Sequence, residues 1–133
     1  MALLVPDVGE KTLLGQMLRD TAEAQTLKLY SSDTTPAEGD TAATYTESAA
    51  SGYSAFSMTR ASWNAPATSA GTSSITNGTA RVTTFSGSGV INGYFIIGTT
   101  STILLWAERL FTSPGQNFLS GDSLTVTPYI ELA

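Results

Sequence analysis

A mainly β fold with one short N-terminal helix is what this sequence predicts, and three features carry that expectation. Beyond Thr26 the apolar residues recur with a period of two, as one face of a strand requires. Turn-forming residues punctuate that part of the chain roughly every ten residues, which marks short strands joined by tight connections. Helical spacing occurs once, near the N-terminus. The 133 residues are read as a short apolar arm over residues 1–7 followed by a single domain over residues 8–133. The expected architecture is a two-sheet β-sandwich, jelly-roll-like, of about seven or eight strands. A small barrel is the runner-up.

The helix is placed over residues 8–20. Val8, Leu13, Leu14, Met17 and Leu18 supply its apolar positions. Asp7 stands as an N-cap with Glu10 three residues on, the spacing of a capping box. Arg19 near the far end suits the helix dipole, whereas Gly9 and Gly15 weaken the helix intrinsically. Leu27 and Leu29 alternate with Lys28 and Tyr30 in a first strand, and Ser31 to Asp40 is a turn-rich loop. Thr44–Ala50 and Tyr53–Met58 are expected as short strands, and Asn64–Ser73 as a loop. A longer strand covers Ile75–Phe85 with a break or bulge near Asn77-Gly78. Val90–Ile97 is nearly all apolar, which predicts a strand buried on both faces. Thr102–Phe111 follows. In the last strand Leu124, Val126, Ile130 and Leu132 share one face, while Thr125, Thr127, Tyr129 and Glu131 take the other.

Composition narrows the chemistry. Cysteine and histidine are both absent. Disulfides, thiolate metal sites and cysteine nucleophiles go with the first, and the commonest general base and zinc ligand with the second. Six basic residues against eleven acidic ones leave a net charge of −5, and the basic residues lie far apart in sequence. No stripe suited to nucleic acid or to an anionic membrane surface is read from them. No apolar run approaches the roughly 20 residues needed to cross a bilayer. The opening residues are too few for a signal peptide and lack its basic region, so synthesis in a cytoplasm is expected. No cofactor is expected.

The candidate sites are few. In Leu104–Leu110, a strand would point Trp106 and Glu108 one way and Ala107 and Arg109 the other. Glu108 beside an aromatic ring suggests a sugar site, yet glycoside hydrolysis generally uses a second carboxylate at a set distance, and no spacing supplies one. Trp106, Glu108 and Arg109 are therefore read as structural. Asp33, Glu38 and Asp40 place three carboxylates in one loop without EF-hand spacing, which favours solvated charge over calcium. The glycines of Gly87-Ser88-Gly89 belong to no phosphate-binding pattern. Leu3, Leu4, Val5 and Pro6 differ in kind: an apolar terminus packs on its own core or lies on a neighbour, and these four residues are the candidate interface.

Several pieces in order carry a resemblance. Val8-Gly9-Glu10, Leu13-Leu14 and Met17-Leu18 open the chain. Leu27-Lys28-Leu29-Tyr30 then precedes Thr34-Thr35-Pro36, and Tyr45-Thr46-Glu47 precedes Gly52-Tyr53. Gly93-Tyr94-Phe95, Leu104–Arg109 and Gly121–Pro128 follow. This ordered set, spanning nearly the whole chain, resembles a family of small structural proteins of tailed phages. The resemblance implies a non-enzymatic virion component, with a capsid cement or decoration protein favoured. It implies the major capsid protein as partner, a homo-oligomer (trimer or dimer) on the shell, and a place on the capsid surface. A tail, neck or fibre protein, with Trp63, Trp106 or tyrosines stacking on sugar, is the alternative. No catalytic residue carries over.

Overall fold

The computed structural model describes residues 6–20 and 23–132. The N-terminal helix α1 spans Asp7–Leu14 and runs on into a π-helical turn, Gly15–Arg19. Eleven short strands follow among the described residues: β1 (Gln25–Tyr30), β2 (Phe56–Met58), β3 (Ala67–Ser69), β4 (Thr72–Thr76), β5 (Arg81–Thr84), β6 (Gly89–Ile91), β7 (Gly93–Gly98), β8 (Leu104–Arg109), β9 (Gln116–Phe118), β10 (Ser123–Val126) and β11 (Tyr129–Leu132). The mainly β class with one N-terminal helix stands. Hydrogen bonding divides the strands among four sheets, ordered β2-β1-β7-β8, β11-β4-β3, β10-β5 and β6-β9.

The described residues hold eleven strands where seven or eight are expected: three apolar runs each serve two sheets, one of them at the expected break near Asn77-Gly78, β3 and β9 arise outside the expected strands, and the strand over Thr44–Ala50 is lost. Ile75–Phe85 is divided at Asn77–Ala80: β4 pairs with β3 and β11, and β5 pairs with β10. Val90–Ile97 is divided at Asn92, with β6 paired to β9 and β7 to β1 and β8. Leu124–Leu132 is divided at Thr127-Pro128, where proline has no N–H to give a ladder. Alternation nevertheless continues through this break: Val126, Pro128 and Ile130 are buried, and Thr125, Thr127, Tyr129 and Glu131 are exposed. A change of partner leaves the pleat intact.

Other expectations are corrected. Thr44–Ala50 is not a strand. A 3-10 turn, Ala42–Thr44, occupies its start, capped by reciprocal bonds between Thr41 and Thr44, and the rest is joined to β1 by the bridge Tyr30↔Glu47 and the Lys28–Glu47 ion pair rather than by a ladder. The Ser48 hydroxyl accepts from the Ala50 N–H at 3.2 Å, a local bond that competes with a ladder. Asn64–Ser73 is not all loop, since β3 and β4 form a hairpin through Ala70-Gly71. Both turn residues have positive φ (50° and 80°), the conformation that matches hairpin twist. Asp7 is not the N-cap. Pro6 holds that place in extended conformation, its carbonyl accepting the Glu10 N–H at 3.0 Å, and no side chain caps the helix.

The chain forms two compact units. The first contains the described residues before 23, residues 59–80 and those from 126 onward. Here α1 packs on β3 and β4. Leu14, Leu18, Trp63, Ile75 and Ile130 are buried, and Ile75 and Ile130 are cross-strand partners. The two break points in this unit are bonded together: the Asn77 N–H donates to the Pro128 carbonyl at 2.9 Å, and its carboxamide donates to the Ser62 hydroxyl and accepts from Thr79 N–H.

The second unit contains residues 23–58 and 81–125. Its central strand is β7, buried at all six positions between β1 and β8. On one face Tyr30, Tyr45, Phe95 and Ile97 form a cluster closed by Ala42, Leu104 and Ala107, with the Tyr45 and Phe95 rings stacked at 5.3 Å. Leu105 is the extra residue of a bulge opposite Ile96-Ile97.

Asn92 directs the switch from β6 to β7 and is fully buried. Its N–H donates to the Tyr30 carbonyl at 2.9 Å, and its own carbonyl accepts from Leu110 and Phe111 N–H. Its carboxamide donates to the Ser31 carbonyl at 3.0 Å and accepts from the Arg109 guanidinium at 3.0 Å. The neighbours leave no latitude. A Cβ at Gly93 would fall 2.0 Å from the Glu108 carbonyl oxygen, and one at Gly115 (φ +99°) would fall 2.8 Å from the Asn92 carboxamide.

Replacing Asn92 with alanine removes the side-chain donor to the Ser31 carbonyl and one of the four acceptors of Arg109, and it leaves a cavity at a fully buried position. The expected destabilisation is ~2–4 kcal/mol, read from urea unfolding, since each orphaned polar group costs ~1–3 kcal/mol. A loss under ~1 kcal/mol would show that water replaces the carboxamide.

Candidate interaction surface

The residues singled out in Leu104–Leu110 lie on β8, at the edge of the four-stranded sheet. Alternation splits them as expected. Glu108 faces its cross-strand partner Tyr94, whose hydroxyl donates to the carboxylate at 2.6 Å. Ala107 turns to the aromatic cluster. Trp106 is half-buried, and its indole N–H has no hydrogen-bond partner among the described residues. Trp63 is 2% exposed in the other unit, so it offers no platform for a sugar.

Arg109 ties the loops together. Its Nε donates to the Phe111 carbonyl at 2.7 Å, and its two terminal nitrogens reach Thr35, Asp33 and Asn92. Asp33 also accepts from the Ser113 hydroxyl at 2.6 Å. The Ser113 hydroxyl and the Arg109 guanidinium together hold the Asp33 carboxyl below its ordinary range. Asp33 and Asp40 are thus engaged separately, and no bond gathers the loop's carboxylates into one site among the described residues. Asp33 binds Arg109, whereas Asp40 accepts from Tyr45 Oη at 2.6 Å and from the Ala37 N–H at 2.8 Å. Those two bonds, the tyrosine first, also lower the Asp40 pKa.

Tyrosine does much of the work that histidine or lysine would do elsewhere. Four of the five tyrosines donate to a carboxylate: Tyr45 to Asp40, Tyr53 to Glu47, Tyr94 to Glu108 and Tyr129 to Glu131. Burial is the main cause raising the pKa of Tyr45 and of Tyr53, so both stay protonated donors. Sequence reasoning passed over these pairs, and over Asn92. The one visible signal was an asparagine inside an otherwise apolar run.

The N-terminal helix has an inverted distribution. Leu14 and Leu18 are buried as expected, but Val8 (71% exposed), Leu13 (51%) and Met17 (36%) face outward, while Glu10 is 7% exposed. Glu10 Oε2 has no hydrogen-bond partner among the described residues. Leu13 and Met17 lie one turn apart and form an apolar ridge. Pro6 is exposed at the head of this helix. Leu3, Leu4 and Val5, the rest of the candidate interface, lie outside the described residues. No helix among the described residues is long and apolar enough to cross a membrane.

Compared with protein-family models, curated proteins and solved structures, the chain matches none of them.

The Asp33 linkage has a definite sign. Its folded-state pKa lies below the unfolded value, so its contribution is complete above that unfolded value and fades as the pH falls through the folded one. Asp40 adds in the same direction. The melting temperature is expected to fall as the pH drops below about 4. Asp33→Asn should melt lower at pH 7 and lose less on acidification. Parallel pH curves for the two proteins would show that the Arg109–Asp33 pair does not contribute to the acid response.

Proposed function

We propose that this chain is a non-enzymatic virion structural protein of a tailed phage, a capsid cement or decoration protein that docks on the major capsid protein and stabilises the assembled shell. The observation that carries the reading is the inverted N-terminal helix. It exposes Val8, Leu13 and Met17 while holding a glutamate inside, directly after the apolar residues Ala2–Pro6. Such a helix is poorly matched to water and well matched to a partner that covers it. Fully burying one such side chain contributes ~1.5–3 kcal/mol. A contact of that size is modest for one molecule, yet it stabilises a shell when repeated over many copies, because binding favours the assembled state by mass action. Dimers or trimers placed at lattice symmetry axes complete the reading. The ordered sequence pieces from Val8 to Pro128 support the phage assignment by resemblance.

Quantitative mass spectrometry of purified particles tests the proposal. About one copy per major capsid subunit is expected. A handful per particle would place the protein in the neck, tail or fibre, and absence from particles would overturn the virion reading. The double substitution Leu13→Glu/Met17→Glu should leave the melting temperature within a few degrees, because both positions are exposed, and should abolish rebinding to stripped shells. Undiminished rebinding would remove the helix from the interface.

A further inference from the structure

The basic residues are scattered in sequence, but the fold gathers three of the six. Lys11 and Arg19 lie on one row of the N-terminal helical segment, with Gly15 between them at four-residue intervals. Two grooves adjoin this row. One, of about 270 Å³, is lined by Lys11, Thr12, Gly15, Gln16, Arg19, Asp20 and Pro66. The other, of about 420 Å³, shares Arg19 and Asp20 and adds Thr59, Arg60 and Ala61. Arg60 comes from the 3-10 turn Arg60–Ser62. All of these residues belong to the first unit.

These three cations are set apart from two of the others by their lack of partners. Lys28 is paired with Glu47 and Arg109 with Asp33. The side chains of Lys11, Arg19 and Arg60 make no ion pair or hydrogen bond with any described residue. Among the described residues Asp20 is the one carboxylate in either lining. Three cations against one anion give the grooves an excess of two positive charges in a chain whose net charge is −5. With eleven acidic residues in the chain, leaving three cations unpaired on one surface marks a place for an anion from elsewhere.

We infer that these joined grooves bind a carboxylate-bearing, extended segment of a partner protein. This deepens the attachment reading above and rests on it for the identity of the partner, a coat subunit. Guanidinium groups bind carboxylates through two parallel hydrogen bonds, and Arg19 and Arg60 are both exposed and open to such contact. Gly15, Ala61 and Pro66 leave room for a peptide backbone, and Thr12, Gln16 and Thr59 offer it polar partners. A nucleic acid fits less well. Three cations neutralise few phosphates, and the negative charge of the whole chain repels a polyanion.

The test is an NMR titration of the full ¹⁵N-labelled chain with an acetylated, amidated pentapeptide carrying two glutamates. Its glutamine counterpart and hexathymidylate serve as comparison ligands. The acidic peptide should give saturable shifts confined to residues 11–20 and 59–61, weakening as salt is raised. Arg19→Gln should reduce its affinity about threefold, and Arg19→Gln/Arg60→Gln should abolish the shifts while leaving the melting curve unchanged. Absence of shifts, equal shifts with the glutamine peptide, or tighter binding of hexathymidylate would each overturn the inference. Particle mass spectrometry separates the two claims: peptide binding by a chain missing from particles retains the groove and removes the virion partner. A chain abundant in particles but blind to the peptide does the reverse.

Discussion

The second unit depends on one buried carboxamide at a strand crossing. Asn92 stands where the chain leaves the β6–β9 pair and enters the centre of the four-stranded sheet, with polar groups from two segments converging on it. Its main chain and side chain bond to residues 30–31 on one side and 109–111 on the other. A hydrophobic residue would suit the burial but would take the side-chain donor from the Ser31 carbonyl and one acceptor from Arg109. Fully satisfied, the group fixes one arrangement of loops, because the low local dielectric penalises every alternative that breaks a bond. Gly115 follows from the same constraint, since a Cβ there would press on the carboxamide, while Gly93 lies against the Glu108 carbonyl and the Tyr30 ring.

Arg109 extends this constraint outward. Its planar guanidinium spends its donors on a backbone carbonyl, a carboxamide, a hydroxyl and a carboxylate. That gives the 31–35 and 109–113 loops a shared anchor in a unit without disulfides. Tyrosine hydroxyls do comparable work at Asp40, Glu47 and Glu108. In a chain with few cations and no histidine, phenols become the donors that hold carboxylates. They do so without adding charge, which suits a protein whose surface is solvated by serine and threonine rather than by ions.

The first unit shows a different economy. Its sheet and helix bury a small set of residues, Leu14, Leu18, Trp63, Ile75 and Ile130 among them. The helix meanwhile presents an apolar ridge on one flank and the Lys11–Arg19 row on another. Apolar contact supplies non-directional attraction, and fixed charges supply register and selectivity. A helix carrying both is suited to docking on a surface that offers the complementary pair. The attachment proposal and the groove inference draw on these two separate properties of one element.

The sequence by itself determined where side chains alternate and which runs are buried. The period of two through Leu27–Leu29 and from Leu124 to Leu132, and the apolar run from Ile91 to Ile97, appear as burial patterns in the structure, whereas Tyr30 is buried on the face opposite Leu27 and Leu29 and Val90 is exposed. The single helix was equally legible from Leu14 and Leu18. Alternation is a local property of the pleat, and it survives a change of partner. For that reason it could not reveal that Ile75–Phe85, Val90–Ile97 and Leu124–Leu132 each feed two sheets. Which strand pairs with which depends on contacts far apart in the chain: Asn77 with Pro128, Asn92 with Tyr30 and Arg109. The tertiary structure alone decided those contacts, along with the inward turn of Glu10 and the gathering of Lys11, Arg19 and Arg60. Each arises from residues brought together by folding, and spacing along the chain carries no record of that proximity.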